Sequence, residues 1–150
     1  MKKIGIGISR SDVLTEVDRQ TALTGQKRAD TEPGAFEHNA TQVADHEAMA
    51  AYWDDARTAL TTACGPYVAA AVDGLEGLSL TLTVPDRHDA SKVPGMATDA
   101  RNFMVWAVAA RWFAQTDTAA AQLATQTAQG LIDDFTRRLY ARTAPERPTH

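Results

Sequence analysis

Two spacings of apolar residues recur along the chain, and each predicts an element. Ile4, Ile6 and Ile8 alternate with Gly5 and Gly7, the period of a strand over 3–8 whose second face is bare. Ser9 and Asp12 form an S-x-x-D capping box, and Val13, Leu14 and Val17 supply the stripe of a helix over about 12–23, with Gly25 as its stop. No period survives from 26 to 40, where Glu32, Pro33 and Gly34 carry turn chemistry, so a long flexible loop is expected there. Helical spacing resumes with Met49, Trp53, Ala56, Leu60, Cys64, Tyr67 and Val68 on one face, which predicts a helix over 45–72 capped by Asp45. Unbroken, it would be about 42 Å long. Pro66 lacks an N–H and its ring crowds the preceding turn, so the helix is kinked or broken there.

Leu78, Leu80, Leu82 and Val84 alternate with Ser79, Thr81 and Thr83, the clearest strand pattern in the chain, and Pro85 ends it. A lone strand is not stable in water, so 78–84 needs a partner, either 3–8 or a neighbouring subunit. After a polar loop, Pro94 and Gly95 open a helix through Met96, Ala100, Phe103, Met104 and Ala107. Trp106, Trp112 and Phe113 widen its apolar surface, which marks it as central. Thr116, Asp117 and Thr118 form a tight connection to a last helix carrying Leu123, Ala124, Leu131, Phe135 and Leu139, an antiparallel αα-hairpin. The expected fold is mainly α, a helical bundle with an αα-hairpin and a small β element, as one domain over 1–143 followed by a disordered tail over 144–150.

Composition narrows the class. The chain of 150 residues suits one domain, and its net charge of −4 argues against a general nucleic-acid binder. The single Cys64 excludes a disulfide framework and a cysteine-rich zinc site. Neither a signal peptide nor an apolar run of ~20 residues is present, so a soluble cytoplasmic chain with no membrane partner is expected. Arginine, with 11 residues against 4 lysines, gathers at the end of the last helix as Arg137, Arg138 and Arg142, where it complements the helix dipole.

Candidate chemistry is sparse. Gly5 and Gly7 lack the third glycine and the βαβ context of a dinucleotide fingerprint. His38, Asp45, His46 and Glu47 lack metal-ligand spacing and read as solvated residues near a helix start. Asp86, His88 and Asp89 follow the best strand, yet Ser91 stands in no nucleophile elbow. Asp133 with Arg137 and Asp134 with Arg138 are i, i+4 pairs, each worth ~0.3 kcal/mol. No catalytic set, cofactor site or metal site is expected.

The order of elements resembles the small head–tail connector, or adaptor, proteins of tailed phages and prophages. The stretches that carry the likeness are Ala50–Leu60 (AAYWDDARTAL), Leu78–Val84 (LSLTLTV) and Gly130–Tyr140 (GLIDDFTRRLY). The resemblance implies a non-enzymatic virion subunit, assembled in the host cytoplasm as a homo-oligomeric ring between portal and tail. In that reading Leu78, Leu80, Leu82 and Val84, together with the loop over 26–40, carry subunit contacts. Arg137, Arg138 and Arg142 face a partner or make non-specific DNA contact in a channel. The alternative from another class is a cytoplasmic helical binding or regulatory module acting as a small homodimer.

Overall fold

The computed structural model describes residues 1–29, 45–46 and 49–145. Along them run β1 (Lys2–Ser9), α1 (Arg10–Ala29), α2 (Ala50–Cys64), β2 (Val68–Asp73), β3 (Gly77–Val84), α3 (Val93–Thr116) and α4 (Thr118–Leu139). The fold is mainly helical with a small antiparallel sheet, as the periodicities predict. The expected tail lies partly outside the described residues, as does most of the expected loop over 26–40; its first residues, 26–29, belong to α1.

The sheet has the order β1-β3-β2. Lys2 pairs with Val84 and Ser9 with Gly77, so of the two partners expected for 78–84 the chain uses its own N-terminal strand. Alternation sends Ile6, Ile8, Leu78, Leu80, Leu82 and Val84 to one face, where all are buried. Gly77, at φ +149, passes so close to β1 that a Cβ would meet the Ile8 carbonyl oxygen at 2.0 Å, which only glycine permits.

β2 corrects the sequence reading. Three alanines over 69–71 favour helix, and the helix was expected to reach residue 72. Instead α2 stops at Cys64, because Gly65 adopts φ 58 and Pro66 cannot continue the hydrogen-bond ladder. Beyond that turn, the open edge of β3 supplies backbone partners for Val68–Asp73, and pairing overrides intrinsic helix propensity. At 15 residues α2 is about 22 Å long, half the length of an unbroken 45–72 helix. Its N-cap is Met49, not Asp45, whose carbonyl accepts from the Met49 N–H one turn earlier.

α1 runs from Arg10 to Ala29, past both limits expected for it. The capping contact exists: Ser9 Oγ accepts from the Asp12 N–H at 3.3 Å. Gly25 does not stop the helix; it is buried within it, and packing there offsets the roughly 1 kcal/mol that an interior glycine costs.

α3 is the central helix, touching β1, α1, α2 and α4 through residues that include Met96, Phe103, Met104, Val108 and Phe113. Asp117 accepts from the Ala120 N–H at 3.2 Å and caps α4, which turns back along α3 as the expected hairpin. Ala124, Ala128, Phe135 and Leu139 form its buried seam. Leu123, expected on that seam, is exposed on the opposite side.

Candidate functional site

β3 descends toward the end of the molecule where α3 begins and α4 finishes, and cations collect there. Lys2 and Lys3 open β1, Arg87 follows β3, Lys92 precedes α3, and Arg137, Arg138 and Arg142 close α4. A cleft of about 400 Å³ lined by Lys92, Asp134, Arg137, Arg138 and Ala141 lies among them.

The three arginines expected to face a partner have different surroundings. Arg137 is 77% exposed and pairs with Asp134 at 3.0 Å, an i, i+3 contact in place of the expected Asp133. Arg138 lies across the first turn of α3 and donates to the largely buried Asp99. Gly95 makes room for it, since a Cβ there would stand 2.7 Å from Arg138 Nε. Arg142 caps α4 by donating to the carbonyls of Leu139 and Ala141, and it reaches the Tyr67 hydroxyl at 3.1 Å. Arg138 and Arg142 thus hold the fold together, and Arg137 projects outward.

The strand residues expected at a subunit contact are elsewhere. Leu78, Leu80, Leu82 and Val84 are core residues of this chain, because β1 and β2 fill both edges of β3 and helices cover its apolar face. That expectation is corrected: their amphipathic pattern reflects burial inside one subunit.

The loop that held the candidate Asp86, His88 and Asp89 is structural. His88 is 1% exposed, and its Nε2 donates to the Arg138 carbonyl at 3.0 Å. Both ends of the described chain tie to this loop. The Met1 amine meets Asp86 at 2.7 Å, and Lys2 Nζ donates to the His88 carbonyl. From the other end, the Thr143 N–H donates to the Arg87 carbonyl, and the Ala141 carbonyl accepts from the Asp89 N–H. The hydrogen bond and charge of the Met1 amine hold Asp86 below the usual carboxylate range. Asp89 is lowered by hydrogen bonds from the Ser91 side chain and N–H, as the cap of a short turn.

His46 and Cys64 are likewise held within the fold. His46 Nε2 contacts Asp18 Oδ2 at 2.7 Å, joining residue 46 to α1, while His38 and Glu47 lie outside the described residues. Cys64 is fully buried, which pushes its thiol up to about 11. Among the described residues no three His, Cys, Asp or Glu side chains are grouped to hold a metal, and no helix is long and apolar enough to cross a membrane.

What the sequence reading missed is the outside of the sheet. β1 and β2 are both edge strands, unpaired along their outer sides among the described residues. Beside the β2 edge a groove of about 280 Å³ is lined by Arg57, Thr58, Thr61, Thr62, Gly65, Val68 and Ala71. The hydroxyls of those three threonines donate to helix carbonyls one turn earlier. The signal for β2 was present in the Pro66 break and the two flanking valines, masked by the alanines between them.

Compared with known proteins, the chain matches no family model, no curated protein and no solved structure.

Proposed function

We propose that this chain is a non-enzymatic structural subunit of a tailed phage or prophage, a head–tail connector that assembles as a ring between portal and tail. Beside the order of elements, one feature supports the reading: the sheet ends in two unpaired edges on opposite sides, β1 and β2. A ring needs two different contact surfaces on each subunit. The β2 edge of one copy against the β1 edge of the next is such a pair. Both strands run antiparallel to β3 and therefore parallel to each other, so the junction is a parallel pairing. Ala69–Val72 carries no charge or proline to block an added strand, although a bulge near Val68 shortens the usable stretch. These edges replace Leu78, Leu80, Leu82 and Val84 as the proposed subunit contacts. Lys92 and Arg137, at the cationic end, face the portal, the tail or channel DNA in this assembly.

Negative-stain imaging and light scattering of the purified protein, alone and with the portal protein of the same genome, test the reading. Rings or a stoichiometric portal complex are expected. A persistent monomer without portal affinity sinks it. A two-fold dimer that forms no ring with portal present favours the small cytoplasmic module instead.

A further inference from the structure

One face of the sheet is uncovered by any described residue. Strand register sorts its side chains into rows: Val72, Ser79 and Gly7 form one, and Ala70, Thr81 and Gly5 the next. Over β1 the face is hollow, because a Cβ built on Gly5 or Gly7 meets nothing within 4 Å. Over β2 it is raised, and Val72 is 66% exposed. Between them β3 contributes the hydroxyls of Ser79 and Thr81. Lys3, beside Thr83, is the one charged residue that the register puts on this face.

We propose that in the free protein this face closes against the same face of a second copy. A two-fold axis lying along β3, between the two sheets, exchanges left and right edges but preserves height along the strands. Val72 of each copy then lies over Gly7 of the other, Ala70 lies over Gly5, and the β3 hydroxyls meet in the middle. This is an isologous contact with the two sheets aligned, the usual arrangement of a β-sandwich. The occupant is a second copy because ridge and hollow share the same rows of one face, so a single rotation makes the face complementary to itself. The same rotation puts the two Lys3 side chains on opposite edges, and no like charges are brought together.

Three strands about 4.8 Å apart and six residues long give roughly 300 Å² per copy, well below the ~800 Å² per partner of a standard interface. The pair is therefore weak and reversible, with a dissociation constant on the order of 0.1 mM. It leaves both sheet edges and the cleft lined by Lys92 and Arg137 outside, so it does not rest on the ring reading.

Sedimentation equilibrium of the whole chain from about 10 µM to about 1 mM tests the pair, spanning the expected constant on both sides. A monomer–dimer equilibrium is expected. Val72→Asp should weaken it by about tenfold or more, because a carboxylate is driven into the face. Gly7→Val fills the hollow and should abolish the dimer. A Cβ at this position meets nothing within 4 Å and valine suits a strand, so the variant should melt no lower than the parent. A wild-type monomer at about 1 mM overturns the proposal, as does a dimer that both variants leave unchanged. Portal binding by Gly7→Val should be unaffected. Failure of portal binding with the dimer intact removes the connector reading and leaves this pairing in place.

Discussion

The indole Nε1 of Trp53 donates to Oδ1 of Asp73 at 2.9 Å, across the junction between α2 and the end of β2. Arg57 Nε lies 3.2 Å from Oδ2 of the same carboxylate, and the Trp53 ring is fully buried. The Arg10 guanidinium lies over that ring, 5.5 Å from its centroid. One carboxylate thus fastens an edge strand that contributes little to the core itself.

Asp73→Ala should lower stability by about 1–3 kcal/mol, the range for leaving a buried donor without its acceptor. Asp73→Asn retains an oxygen for Trp53 but loses the charge facing Arg57, so its cost should be the smaller of the two. Urea denaturation at neutral pH compares them; equal losses would mean that the indole hydrogen bond contributes nothing.

His88 separates a structural role from a catalytic one. His88→Ala should cost about 1–3 kcal/mol, because a buried hydrogen bond to the Arg138 carbonyl is lost and a cavity opens beneath the contacts of Lys2 and Ala141 with this loop. The measurement is the denaturation midpoint, and an unchanged midpoint would contradict the packing described above.

Glu16 gives the fold an acid-sensitive contact. Hydrogen bonds from Arg19 and then Gln20, with the charges of Arg19 and Arg101, lower its carboxyl from 4.5 to about 2. The folded value lies below the unfolded one, so the stabilisation is present above pH 4.5 and disappears as pH falls toward 2. The stability difference between wild type and Glu16→Gln should therefore shrink across that window. A difference that stays constant down to pH 2 would show that the carboxylate charge plays no part.

Cys64 should be inert in the folded chain. Its thiol is fully buried and raised from 9.0 to about 11, so little thiolate exists at pH 8 and none is accessible. Ellman's reagent should react only in denaturant; rapid labelling of the native protein would mean that α2 opens locally.

Elements whose pattern is local were legible in the sequence. Ile4, Ile6 and Ile8 located β1, the leucines of 78–84 located β3, and Asp117 located the α3–α4 turn. β2 was not legible, because Ala69, Ala70 and Ala71 suit a helix and become a strand only where β3 offers an unpaired edge. The roles of the arginines were hidden for a related reason. Asp99 and Tyr67, which engage Arg138 and Arg142, lie far from them in the chain, and a cluster of like charges does not announce its distant partners. Gly5 and Gly7 were legible as a bare strand face, and a Cβ built on either meets nothing within 4 Å. Val72, the other half of that face, was hidden inside the misread helix.

Because Lys2 pairs with Val84 and Ser9 with Gly77, β1 is synthesised well before β3 yet cannot find its place until β3 has been made. The β2–β3 and α3–α4 hairpins join neighbours in sequence and close short loops, so they can form early. β1 must close over a long intervening segment. Until it docks, β3 presents a naked hydrogen-bonding edge beside Leu78, Leu80 and Leu82. The hazard of misassembly is greatest in that interval of biogenesis, and β1 ends it by capping the edge.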